Sequence, residues 1–347
     1  MKTRRGTPPL PLLAALAIAT LVAAGCSAKA SAGPAETITL YSAQHEQTTN
    51  ALITAFTAQT GITVTSRHGG EDVLTAQIEQ EGAKSPADVF YTENSPWLEQ
   101  LDQKQLLAKV DPTTLGQVPA ADSGASGDWV GVSARVSALI YNTDNLTAAQ
   151  LPTSVLDLAD PRWKGKLALA PSETDFWPIV SSVAKTYGTA KTLAWLQGLK
   201  ANTEAKGTAP DNETVVSDVS QGSSQISIIN HYYFYRLQAE VGKSAVHAAL
   251  AYLAPRDPGY LLNVSGAAVL KSSAHQAAAQ KLVAFIASPA GQTILAHSDS
   301  FEYPIAGHVA ANPTLPPFDQ FAPNSFSVTE LGTGENAKTL LQQAQLL

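Results

Sequence analysis

The chain has 347 residues, and its 22 Lys and Arg against 29 Asp and Glu give a formal charge of −7. An acidic body of this kind is not drawn to phosphate backbones or anionic lipid, so nucleic acid is excluded as a partner. The single cysteine excludes an internal disulfide and a CxxC redox pair.

Lys2, Arg4 and Arg5 precede an apolar run from Leu10 to Val22, and Ala23-Ala24-Gly25-Cys26 follows. Residues 1–25 read as a signal peptide ending in a lipobox, because the basic start and short apolar core suit export and are too short to span a bilayer comfortably. Cys26 is then the lipidated residue, anchored to the outer face of the cytoplasmic membrane by its acyl chains. Cleavage removes three bases and no acids, leaving 19 bases against 29 acids, near −10. Residues 26–36, mostly Ala, Ser, Gly and Pro, suit a flexible tether. The remainder is long enough for two lobes, each with its own core.

Thr37 to Tyr41 predicts a strand, Thr48 to Gln59 a helix ending at Gly61, and Ile62 to Thr65 a second strand. Val73 to Glu81 predicts a helix stopped by Gly82, Val89 to Tyr91 a buried strand, and Ser95 the start of another helix. Trp129 to Tyr141 predicts long strand segments crossing between lobes. Leu167 to Leu169 predicts a short strand, Thr189 to Leu199 a helix, and Ile226 to Ile229 a buried strand opening into a helix near Tyr232. Leu261 to Leu270 follows Pro258-Gly259, then a helical run from His275 to Ala287, a Pro- and Asn-rich part from Pro313 and a helix from Glu335. Alternation of strands and helices predicts an α/β fold of mostly parallel sheets flanked by helices.

Polar residues just beyond the carboxyl ends of strands are where ligands gather in such sheets. His45, Glu93 and the pair Tyr232-Tyr233 stand at such places. Singly, each has a plainer role: a cap, a complement to a helix dipole, one core ring beside one surface ring. The tyrosines carry more information. In a strand they would point to opposite faces, whereas at a helix start they sit about 100° apart and can converge. The positive end of that helix favours phenolate. One neutral imidazole, one carboxylate and two phenolates sum to three negative charges, which match a trivalent cation. Hard oxygen donors and tyrosinate point to ferric iron over zinc or calcium.

At these residues the sequence resembles a known family. The segments YSAQHEQ, GAKSPADVFYTEN, INHYYFY, RDPGYLLNVSGAAVLKSS and FEYPIAGHV are similar to those of the bacterial ferric-ion-binding proteins, the solute-binding subunits of iron(III) ABC transporters. The resemblance implies a two-lobed type II periplasmic-binding-protein fold with hinge strands joining the lobes. Residues 37–135 plus 261–312 would form lobe 1, and residues 136–260 plus 313–347 lobe 2. It implies His45, Glu93, Tyr232 and Tyr233 as ligands of Fe(3+), an ABC permease and ATPase as partners, and a monomer. A synergistic anion, phosphate or carbonate, would be held by Asn212, Asn230 and the loop Pro171-Ser172-Glu173-Thr174-Asp175-Phe176. That loop carries two acids where relatives have small residues, so an acid there repels an anion or itself fills an iron position. His231 stands where the family has asparagine and reads as a neighbour of the metal.

An enzyme is not expected: His45-Glu46 does not continue as HExxH, neither Ser126 nor Ser223 lies in GxSxG, and no P-loop is present. Two alternatives remain open at this point. One is a same-fold receptor for a phosphonate, thiamine or polyamine, with the tyrosines as an aromatic wall. The other is a divalent-metal receptor using His45, Glu93 and His231.

Overall fold

The structure, a computed structural model, describes residue 6, residues 36–203 and residues 207–347. Cys26, the leader apart from residue 6 and the tether apart from Glu36 lie outside the described residues.

The first strands follow the expected rhythm. Strand β1 (Thr37–Ala43) is followed by α1 (Glu46–Thr60), β2 (Thr63–His68), α2 (Glu71–Glu81), β3 (Val89–Thr92) and α3 (Ser95–Gln103). Thr48, Leu52 and Phe56 recur every fourth residue and bury one face of α1. Gly61 ends that helix with φ 73°, a conformation in which a Cβ would be strained, and its N–H returns to the Thr57 carbonyl. Strand β1 pairs in parallel with β2 and with β3, and the intervening helices provide the crossovers that parallel neighbours need.

A short helix α4 (Pro112–Leu115) leads to the 13-residue strand β4 (Val130–Asn142). Helices α5 (Trp177–Tyr187), α6 (Thr189–Asn202) and α7 (Asn212–Ser220) come next, then β5 (Ile226–Asn230) and α8 (Tyr232–Val241). Strands β6 (Ala248–Ala251) and β7 (Leu262–Val269), helices α9 (Gln276–Ala287) and α10 (Pro289–Ala296), strand β8 (Tyr303–Pro304) and helix α11 (Glu335–Gln343) complete the chain. From Val130 to Val136, β4 runs antiparallel to β7, with β8 on its other side; from Ser137 onward its partners are β5 and β6. One strand thereby serves two regions of sheet, in the order β2-β1-β3-β7-β4-β5.

The sheet is mixed: among the described residues two pairings are parallel and five antiparallel. Parallel pairing is confined to the β1–β3 region, where crossover helices intervene. The long returning strands run against their neighbours. Leu167 to Leu169 does not form a strand; Leu167 makes isolated bridges to Thr203 and Ile226, in a run closed off by Gly165 and Pro171. Helices α5, α7 and α10 were not expected from sequence. Gly188 (φ 81°) separates α5 from α6, and the Asp211 carboxylate caps α7 by accepting the Thr214 N–H at 2.7 Å. A core cluster of Val215, Val216 and Val219 with Tyr232, Tyr233 and Phe234 seats the start of α8.

Candidate metal centre

The registers of the sheet build one wall of the site. Ala43 lies opposite Thr92 in the parallel β1–β3 pair, and the Glu93 N–H donates to the Ala43 carbonyl at 3.3 Å. His45, two residues past β1, and Glu93, directly after β3, therefore stand side by side: His45 Nδ1 is 3.5 Å from Glu93 Oε1. The second wall comes from the end of β5 and the loop at residues 171–176. Tyr232 and Tyr233 open α8 with their rings stacked at 4.1 Å, and both hydroxyls donate to the same atom, Asp175 Oδ2, at 3.1 and 2.9 Å. The Tyr232 hydroxyl also lies 3.5 Å from Glu93 Oε2, and its ring meets the His45 imidazole edge-on at 5.3 Å. The two walls thus converge within hydrogen-bond distance.

Between them lies a cleft of about 500 Å³ lined by Ser42, His45, Glu71, Glu93, Tyr232 and Tyr233, with Ser172, Glu173 and Thr174 at its edge. Asn212 and Asn230 do not line it. They border a small void behind Asp175, and Asn230 is held by the Asn263 amide at 2.9 Å. His231 is fully buried and stacked on Tyr303 at 5.0 Å, and its Nδ1 accepts the Val136 N–H at 3.2 Å, which commits that nitrogen to the backbone. Ser172 is exposed and reaches only the Pro210 carbonyl, at 3.5 Å, whereas the Thr174 hydroxyl donates to Glu71.

Sequence reasoning missed the charge that organises the centre. Arg135, fully buried on β4, contacts Glu93 at 3.0 Å, Asp175 at 3.5 Å and Glu302 at 3.6 Å, and its guanidinium lies 5.9 Å from the Tyr232 ring. One lone cation inside the run Val-Ser-Ala-Arg-Val-Ser-Ala was the available signal: a buried arginine requires acidic partners. Glu71 is similarly satisfied, by Thr92, Asn94, Trp97 and Thr174. Asp175 was seen only as one of two acids in its loop. Asn94 holds its other oxygen at 3.0 Å.

The electrostatics follow from burial among acids. Desolvation, then the Asp175 carboxylate, holds both tyrosine hydroxyls well above the usual phenol range. Burial also raises Glu93, with Arg135 opposing. Desolvation works against the Arg135 charge, and Glu302, Asp175 and Glu93 more than offset it. Burial keeps His45 below its ordinary value, so its imidazole is neutral, and pushes His231 down to about 3. Burial and the neighbouring acids push Glu173 up to about 8. Among the described residues no group of three or more His, Cys, Asp or Glu is arranged to hold a metal.

Residues 84–325 match the family described as bacterial extracellular solute-binding protein. The chain is 41% identical over 330 residues to the Fe(3+)-binding periplasmic protein of Serratia marcescens, covering 92% of this chain and 96% of that one. It is 38% identical over 312 residues to a major ferric iron-binding protein of Neisseria meningitidis, covering 88% and 92%. The crystal structure of iron-bound HitA from Pseudomonas aeruginosa superposes with a TM-score of 0.84 at 40% identity, covering 89% of this chain and 99% of that one. These are type II periplasmic-binding-protein folds that carry solutes in transport and are not enzymes. The chain belongs to the bacterial extracellular solute-binding proteins, in the branch of the ferric-iron-binding proteins.

Proposed function

We propose that this protein captures ferric iron between its two cleft walls and delivers it to the permease of an ABC transporter driven by its ATPase. His45 and Glu93 ligate from one wall, and Tyr232 and Tyr233 from the other. The observation that carries the reading is the convergence of both phenol hydroxyls on Asp175 Oδ2, at 3.1 and 2.9 Å, directly across from Glu93. Phenolates are hard, anionic donors that an organic or divalent-metal site does not require. Asp175 belongs to the loop that the family resemblance assigns to holding phosphate or carbonate, and its carboxylate already accepts both phenol hydroxyls; on this reading it fills the anion's coordination position and no synergistic anion is needed.

The lobe division at residues 135/136 and 260/261 is supported by the change of β4 partners between Val136 and Ser137 and by β7 starting at Leu262. Cys26 anchors the exported monomer to the membrane, and residues 26–36 tether it.

Ferric citrate added to the purified protein in phosphate- and carbonate-free buffer should produce an orange to red tyrosinate-to-iron band at one iron per chain. A colourless protein would refute the iron reading. A band that forms only after phosphate is restored would refute the role of Asp175.

A further inference from the structure

The loop at residues 171–176 reaches across the cleft to a buried carboxylate. Glu71, in the first turn of α2, is 7% exposed and stands on the His45 and Glu93 wall. Four donors of that same wall fix it. The Thr92 hydroxyl and the Asn94 backbone N–H, at 2.6 Å, reach Oε1, while the Asn94 side-chain amide and the Trp97 indole N–H reach Oε2 at 2.9 and 3.0 Å. The fifth donor comes from the opposite wall: the Thr174 hydroxyl, which meets Oε2. Thr174 begins a tight helical turn, Thr174–Phe176, so its neighbour Asp175 moves with it. The Asn94 amide spans the same gap, lying 3.4 Å from the Thr174 hydroxyl and donating to Asp175 Oδ1 at 3.0 Å.

We propose that Glu71 and Thr174 are positioning residues, a latch across the cleft that sets Asp175 where the two phenol hydroxyls meet it; its effect on cargo rests on the ferric-iron reading above. Glu71 lines the cleft but has no place for a cation. A carboxylate offers about four lone-pair sites, and five hydrogen bonds already converge on them. Four of those donors lie on its own wall, so the acceptor is in place before the loop arrives. Docking the loop then adds one charge-assisted hydrogen bond without rearranging Glu71. Asp175 has other holds, in Asn94 and in Arg135 at 3.5 Å, but Thr174 is the tie of the loop backbone beside it. With the tie cut, the carboxylate is less well placed, and its position opens to an anion from solution.

Thr174→Val keeps the side-chain shape and removes the hydroxyl, and Thr174→Ser keeps the hydroxyl. In the metal-free protein, amide hydrogen exchange over residues 171–176 should be faster in Thr174→Val than in the wild type and restored in Thr174→Ser. With ferric iron as probe in competition against citrate, in phosphate- and carbonate-free buffer, Thr174→Val should lower affinity about 10- to 100-fold. Added phosphate should recover part of that loss in Thr174→Val and change nothing in Thr174→Ser, a signature that mere loosening of the fold would not produce. Glu71→Gln, which turns an amide N–H toward those donors, should match Thr174→Val in both measurements. If Glu71→Gln does not fold, the two Thr174 variants still decide. Wild-type exchange and affinity in Thr174→Val, an equal loss in Thr174→Ser, or a loss that phosphate does not relieve would overturn the proposal. A wild type that takes up no iron, or takes it up only with phosphate, defeats the ferric or the Asp175 reading instead, and leaves the exchange measurement to judge the latch alone.

Discussion

The two walls of the cleft carry their negative charge in different ways. On the His45 and Glu93 wall the carboxylate already has a cation, Arg135, at 3.0 Å, and the imidazole is neutral. On the Tyr232 and Tyr233 wall the donors are phenols whose protons rest on Asp175 and whose ionisation is strongly opposed by burial. On the first wall Glu93 has a cation partner without cargo, one that it shares with Asp175 and Glu302. The phenols of the second wall acquire their charge only when a strong Lewis acid displaces two protons, beside the Asp175 carboxylate already there. On the function proposed here, selectivity for a trivalent ion belongs to the phenols, and sensitivity to pH to the phenols together with Glu93, whose carboxyl burial also raises.

The largest effect should come from striking the second wall. Tyr232→Phe or Tyr233→Phe removes an anionic donor from a buried charge constellation, a class of change that costs about 3–5 kcal/mol. Iron affinity, measured by competition with citrate, should fall more than about 100-fold, with the charge-transfer band bleached or shifted. His45→Ala should cost clearly less and leave the band's tyrosinate character intact. Equal losses on both walls would erase the distinction between them.

Arg135 is the next point of attack, because it links both walls. Arg135→Leu leaves Glu93, Asp175 and Glu302 facing one another without a cation, and should destabilise the metal-free protein by about 3–5 kcal/mol in chemical denaturation. Ferric iron brings its own positive charge to Glu93 and Asp175, so loading should recover part of that loss. A variant as stable as the wild type would show that the acids are not held by this guanidinium.

The pH dependence sharpens the contrast. Both phenol pKa values are raised, so the groups are protonated at neutral pH and binding iron must release their protons; affinity therefore falls as pH falls. Two released protons correspond to about 100-fold per pH unit, and one to about tenfold. Tyr233→Phe should halve the slope of log affinity against pH, whereas His45→Ala should leave it nearly unchanged. An affinity that is flat between neutral and mildly acidic pH would contradict phenolate ligation.

How much of this was legible in the sequence depends on where each signal resides. The strand-end positions of His45 and Glu93 and the helix-start position of the tyrosines follow from local pattern, and the structure has β1, β3, β5 and α8 beginning or ending as read. Arg135, Glu302 and the function of Asp175 are not local. Arg135 and Glu302 are 167 positions apart in sequence yet 3.6 Å apart in space, and no periodicity in either segment encodes that approach. The mixed character of the sheet was hidden for the same reason, since β7 pairs with strands far upstream. His231 could be read as a departure from the family, but its burial against Tyr303 depends on β8 lying beside β4.

The smallest expected effect separates the two acids of the 171–176 loop. Asp175 is buried and engaged by both phenols, while Glu173, two residues earlier, sits at the edge of the cleft with its pKa pushed up to about 8 by burial and by Asp175 and Glu213. Because this pKa is raised in the folded state, the folded protein retains a proton that the unfolded chain has lost. Glu173 therefore contributes a decline in stability as pH rises from the ordinary carboxylate range toward 8. Glu173→Gln should remove that contribution, raising the melting temperature of the metal-free protein near pH 8 by no more than about 2 °C. Near pH 4 the two proteins should melt together. The group is partly exposed, so solvent screens it and keeps the effect small. Its iron band at neutral pH should keep the wild-type intensity and position, because the proposed function puts Asp175 against the metal and leaves Glu173 at the rim; a bleached band in Glu173→Gln would move Glu173 from the rim into the coordination sphere.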